Sequence, residues 1–154
     1  MLIKQSVCYP MLKPADIPLA DFVSKVADMG FAAIELWKRG DDFDRVMDLA
    51  AKYDVAIATM SGHDSLTVGL NNPTQHERIE GELRDSIDVA AEAGIPGVIV
   101  FSGNRRKDVS EEEAIAITAE GLSRIAPYAE AKGVNLNLEL LNSKVDHPGY
   151  QCDH

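Results

Sequence analysis

The stretch from Val134 to Leu141 alternates in a way that separates two chemistries. Leu136, Leu138 and Leu140 fall on one face of an extended chain, and Asn135, Asn137 and Glu139 on the other. A carboxylate on the polar face of a strand whose other face is packed costs free energy unless a cation or several donors meet it. A metal ion or a positively charged partner is therefore expected at Glu139, the alternative being an edge strand with a solvated face. Glu35 repeats the pattern, flanked by Ile34 and Leu36 and sharing its face with Trp37. Two carboxylates at one end of a sheet bind metal or divide the roles of acid and base, while Glu35 alone fits a structural salt bridge equally well. His63 closes a third apolar run, where a neutral imidazole would bind a substrate oxygen or a metal, or simply be solvated. Ser102 opens the segment Ser102-Gly103-Asn104-Arg105-Arg106-Lys107, the basic cluster of an acidic chain, read either as the holder of an anionic substrate or as a solvated loop. Asp146, His147, Cys152, Asp153 and His154 match no zinc spacing, and His76 is placed on the exposed face of a helix start. No GxSxG, HExxH or P-loop pattern occurs.

The elements that must position these residues form a repeated unit: a short apolar run, an amphipathic stretch, a glycine, and another apolar run. The spacing predicts strands over 3–9, 32–37, 55–60, 97–101 and 134–141. Between them lie four helical stripes: Leu19, Phe22, Val23 and Val26; Phe43, Val46, Met47 and Ala50; Ile79, Leu83, Ile87 and Ala90; and Ile115, Ala119, Leu122 and Ala126. Asn72-Pro73 and Ser110 with Glu113 are helix-start signals, Gly30, Gly94 and Gly133 are stops, and Pro127 is expected to kink the last helix or shorten it.

The chain has 154 residues, and 15 Lys+Arg against 25 Asp+Glu give 15 − 25 = −10. That charge disfavours nucleic acid and anionic membrane as partners and leaves a small-molecule substrate. A 45% apolar and 26% charged composition is that of one globular domain. Cys8 and Cys152 lie far apart and read as free thiols of a reducing compartment. The segment Met1-Leu2-Ile3-Lys4-Gln5 lacks a long apolar run, so a cytoplasmic address is expected.

Five strands and four helices at roughly 30 residues per unit point to an α/β chain. Eight such units would need about 250 residues, the size of a (β/α)₈ barrel. A doubly wound sheet fits the count as well, but Tyr9-Pro10-Met11-Leu12-Lys13-Pro14 stands where its Gly-rich turn should be. In a barrel the leucines of the fifth strand face the helices and Glu139 faces inward, near the end where such enzymes keep their sites.

The segments 30–37, 90–100 and 133–142 resemble the xylose-isomerase-like TIM barrels, and within them the hydroxypyruvate isomerase and sugar-phosphate isomerase/epimerase branch. The resemblance makes residues 1–154 the N-terminal part of a single TIM-barrel domain, its first five strands and four helices. It implies a divalent metal, Mn²⁺ or Mg²⁺, with Glu139 matching the fifth-strand glutamate that ligates metal and takes part in proton transfer. Ligands on strands six to eight of that family have no counterpart among these residues. Glu35, His63 and Ser102 are the substrate-binding candidates. The implied reaction is aldose–ketose interconversion of a 2-hydroxy carbonyl such as hydroxypyruvate through a metal-stabilised enediolate, with 3-epimerisation by the same parts as the alternative. Two further readings stand beside it. One is an inactive fragment or binding module that self-associates at open sheet edges. The remote one is an apurinic endonuclease, which would need zinc-binding histidines on strands three and four.

Overall fold

A computed structural model describes residues 3–154, so the first two residues of the N-terminal segment lie outside it. Five parallel strands stand in chain order: β1 (Ser6–Cys8), β2 (Ala33–Glu35), β3 (Ala56–Ser61), β4 (Gly97–Val100) and β5 (Asn135–Leu138). Helices α2 (Leu19–Asp28), α3 (Phe43–Lys52), α4 (His76–Ala93) and α5 (Glu111–Lys132) fill the connections, and a single turn, α1 (Tyr9–Leu12), follows β1 directly. The first strand is thus shorter than expected, because Pro10 suits the opening of a helical turn and cannot donate to a ladder. No helix among the described residues is long and apolar enough to cross a membrane.

The core lies between the sheet and these helices. Ile79, Leu83, Ile87 and Ala90 of α4 are completely enclosed, as the 3.6-residue period requires, on the side of β4 with Val98 and Val100, and Val23 of α2 is enclosed in the same core. Helix ends follow local chemistry. The Asn72 side chain accepts the Thr74 amide at 3.2 Å, and the Ser110 hydroxyl accepts the Glu113 amide at 3.2 Å. The 3₁₀ turn Pro73–Gln75 comes first, so α4 proper begins at His76.

Two expectations are corrected. α5 buries Ala114, Thr118, Gly121, Ile125 and Ala129, one position away from the apolar stripe, and leaves Ile115 55% exposed. Small residues let this helix approach α4 and the preceding loop closely, and that closeness outweighs the hydropathy of Ile115. Of the two effects expected of Pro127, shortening does not occur, since α5 continues to Lys132. His76 is buried rather than exposed, because α5 covers it and its Nε2 donates to the Leu70 carbonyl at 2.8 Å.

A Cβ on Gly121 would stand 2.9 Å from His76 Nε2 and 2.8 Å from Leu70 Cδ2. Gly121→Ala is therefore expected to destabilise the fold by up to about 2 kcal/mol. Overpacking costs about 1–3 kcal/mol, against the roughly 1 kcal/mol that alanine gains in helix propensity. Urea unfolding reads it, and a more stable variant would show that the ring has room to move.

Register decides which side chains reach the inner face. Ile34 pairs with Ile57, but Glu35 pairs with Thr59, so Ala58 is an extra residue on β3. Ile57 joins the helix-side core before the bulge. Beyond it Thr59, Ser61 and His63 turn to the face that Ile99 occupies, Ser61 being the partner of Ile99.

Candidate functional site

All five strands run the same way, so their C-terminal ends meet at one mouth. There a cavity of about 1070 Å³ is lined by Tyr9 after β1, Trp37 after β2, Ser61 and His63 at the end of β3, Ile99 and Phe101 of the β4 segment, and Glu139 after β5. Its walls are largely aromatic and aliphatic, and Lys38, Asp42, Asp64, Asp146 and His147 join Ser61, His63 and Glu139 as polar groups on the lining.

Glu139 carries β5 one step further, its amide donating to the Val100 carbonyl at 3.0 Å. Its side chain is half-buried on the cavity wall. Burial pushes the carboxyl above its ordinary value, the charge of Glu35 adds to the shift, and His147, on the same wall, opposes it. Glu35 lies beside the cavity rather than on its lining, and its Oε1 accepts the Ser6 hydroxyl from the neighbouring strand. The two carboxylates expected at one end of the sheet are thus brought into electrostatic reach, with Glu139 alone facing the open space.

His63 lines the same cavity but is only 4% exposed. Its Nε2 accepts the Phe101 amide at 2.9 Å, and its ring meets that of Phe101 edge-on, centroids 5.3 Å apart. Burial lowers its pKa to about 4, with the Glu82 carboxylate opposing, so the ring is neutral at pH 7. A neutral imidazole has one basic lone pair, and the Phe101 amide takes it. Nδ1 is buried without a hydrogen-bond partner among the described residues. His63 therefore shapes the wall and ties β3 to β4, and it has no free lone pair for a metal.

Ser102 lies away from the cavity lining and is wholly buried. Its amide donates to the Tyr150 hydroxyl at 3.0 Å, and its own hydroxyl accepts the Cys152 amide at 3.1 Å. The adjoining arginines are also committed: Arg105 to the Tyr150 carbonyl at 2.6 Å and to Asp153 at 3.3 Å, Arg106 to Asp108 at 2.5 Å. This segment staples the tail to the β4 loop instead of presenting an anion site to the cavity.

Sequence reasoning passed over Tyr9, whose hydroxyl donates to Asp42 at 2.5 Å across the mouth. Burial first, and the Asp42 carboxylate second, push Tyr9 up to about 12, so it stays a neutral donor. A lone tyrosine between a strand and two prolines was the available signal. Tyr150 was passed over as well, although an aromatic residue in an otherwise polar tail marks a buried anchor.

Mn²⁺ and Mg²⁺ need several oxygen or nitrogen ligands held together. Among the described residues no group of three or more His, Cys, Asp or Glu is so arranged. Glu139, with His147 on the same wall, does not complete such a set, so the described residues do not by themselves fit the expected metal.

A family model described as xylose isomerase-like TIM barrel matches residues 23–154. The fold superposes on a family 2 AP endonuclease from Brucella melitensis (TM-score 0.71, 14% identity, 97% of this chain and 59% of that one). It also superposes on a 3-keto-D-glucoside 4-epimerase from E. coli (0.71, 16%, 94% and 59%). A third match is a D-psicose 3-epimerase from Clostridium cellulolyticum H10 (0.70, 17%, 94% and 55%). The chain thus spans somewhat more than half the length of these structures, and the likeness is one of fold. No match was found among curated protein sequences.

Proposed function

We propose, because the chain belongs to the xylose isomerase-like TIM barrel family, that it forms the first five strands of an isomerase-type barrel. Residues 1–154 are in this reading the N-terminal part of a single domain acting on a sugar or hydroxy keto acid, hydroxypyruvate isomerase-like. The observation that carries the reading is Glu139, a half-buried carboxyl with a raised pKa facing a cavity at the C-terminal end of β5.

Such a carboxylate is suited to take the proton from the hydroxyl-bearing carbon beside a carbonyl. The C–H electron pair becomes the C=C bond of an enediolate, and the carbonyl oxygen receives the charge. Return of the proton to the neighbouring carbon, with the hydroxyl proton passing to the former carbonyl oxygen so that the hydroxyl carbon becomes the new carbonyl, interconverts aldose and ketose. Return to the opposite face of the same carbon, by a second acid, gives the epimer. Trp37 and Phe101 offer apolar surface to the C–H faces of such a substrate. An endonuclease reading would need His63 as a zinc ligand, but its lone pair is taken, and a net charge of −10 opposes DNA.

The test is carbon-bound proton exchange in D₂O, followed by NMR with hydroxypyruvate and a panel of ketoses, in a protein containing this chain within a complete barrel. One deuterium incorporated next to the carbonyl is expected, and no exchange with any 2-hydroxy carbonyl overturns the reading. Mn²⁺ or Mg²⁺ dependence belongs to the proposal only where further ligands join Glu139.

The 154-residue chain by itself is accordingly expected to bind Mn²⁺ more weakly than about 10⁻⁴ M, measured by calorimetry. It is also expected to show a light-scattering mass above 16.8 kDa, because β1 and β5 each pair on one side only and leave an edge for a second copy. Micromolar affinity in a monodisperse monomer would mean that Asp146, His147, Asp153 and His154 assemble a site of their own.

A further inference from the structure

The segment after β5 returns to the mouth of the sheet and locks onto it. Asn104 and Tyr150 form an antiparallel bridge. The Arg105 amide donates to the Gly149 carbonyl at 2.7 Å, and the Gln151 amide to the Gly103 carbonyl at 2.9 Å. On the β5 side the Leu141 amide donates to the Cys152 carbonyl at 3.1 Å. Tyr150 is the centre of this strap and is completely enclosed. Its hydroxyl accepts the Ser102 amide at 3.0 Å and donates to the carbonyl of Glu139 at 3.3 Å.

We propose that Tyr150 is a positioning residue for Glu139: one hydroxyl joins the loop after β4 to the main chain of the cavity carboxylate and fixes where that carboxylate stands. β5 as a ladder ends at Leu138, so Glu139 keeps one backbone tie to β4, through its amide, and would otherwise be free to turn toward water. The Tyr150 bond supplies the second tie, from the carbonyl side of the same residue. Two ties on one residue fix the direction of its Cα–Cβ bond. Such support from behind a site converts a present carboxylate into a placed one. Burial holds the Tyr150 hydroxyl above its ordinary pKa, so it keeps the proton it donates. Arg105 grips the strap from outside through the Tyr150 carbonyl and Asp153.

The role of Glu139 in proton transfer is the reading proposed above, and the consequence for turnover rests on it; the placement of the carboxylate does not. The decisive measurement therefore needs no substrate. In the ¹⁵N-labelled 154-residue chain, amide hydrogen exchange reads how firmly the end of β5 is held. Tyr150→Phe keeps the ring and removes both hydroxyl bonds. Exchange of the Glu139 amide is expected to quicken roughly tenfold or more relative to the amides of β4, as the released end of β5 opens. Ile87→Val, a core change remote from the strap, should leave that ratio in place, which separates positioning from general loosening. Arg105→Met should quicken it by less, and decides the matter if Tyr150→Phe does not fold. A Glu139 exchange ratio within about twofold of the parent in every folded strap variant would overturn the inference. In a complete, active barrel Tyr150→Phe should also lower kcat roughly tenfold at unchanged KM. Quickened exchange in a protein that exchanges no substrate proton would retain the positioning role and remove the isomerase reading.

Discussion

Glu139→Gln is expected to lower kcat/KM by more than about 10²-fold in a complete barrel, while the thermal midpoint stays level or rises slightly at pH 7. The amide fills the same volume on the cavity wall but has no lone pair basic enough to take a proton from carbon. Stability should move the other way. The folded-state pKa of Glu139 is raised, so its contribution is full below about 4.5 and is lost as pH rises through the folded value. At pH 7 the chain therefore carries a half-buried charge that the amide removes. A site residue that costs stability and supplies activity is the expected signature of function rather than packing. A Gln variant within twofold of the parent in kcat/KM would make Glu139 structural.

Acid should loosen the mouth of the sheet through His63. Its pKa falls from 6.5 to about 4 on folding, so the unfolded chain binds the extra proton between these values. The stabilisation is complete above pH 6.5 and is lost progressively as pH falls through 4, about 3 kcal/mol in all for this group. The physical event is specific: a proton on Nε2 turns the acceptor of the Phe101 amide into a second donor facing it, and burial denies the new charge water. Urea unfolding at pH 7 and pH 4, in the parent and in His63→Asn, measures this, because the carboxylates remote from His63 contribute equally to both chains and only Glu82 and Asp64 beside it are coupled to the ring. The variant should be less stable at pH 7 and show a slope flatter by about that amount. Identical slopes would show that the ring titrates as freely folded as unfolded.

The residues that announced the site did so through periods that belong to single elements. Leucines and polar residues alternate along β5 because an extended chain has a period of two, so Glu139 was legible as an inward carboxylate from its neighbours alone. Likewise the stripe Ile79, Leu83, Ile87 and Ala90 declared the buried face of α4, and Asn72 and Ser110 declared two helix starts, since a cap satisfies amides two or three residues away. These are local energies, complete within one turn or one strand.

The rest depended on which segments come close in space. The buried face of α5 lies one position from its apolar stripe because Gly121 and Ala114 carry little hydropathy, and the worth of Gly121 appears only against His76 and Leu70. His63 and Ser61 line the cavity because a bulge at Ala58 shifts the register, which nothing in the alternation of β3 announces. Ser102 is sealed by Tyr150 and Cys152, some fifty residues further on, and Tyr9 finds Asp42 across a separation of 33. By itself the sequence determined the element types, the parallel βα order and the carboxylate at the end of β5, because torsional preference and side-chain period act within each element. Tertiary structure alone decided which polar groups are spent on one another and which remain for a ligand. A buried donor or acceptor must be satisfied by whatever the fold brings within 3 Å, and that partner is set by packing rather than by position in the chain.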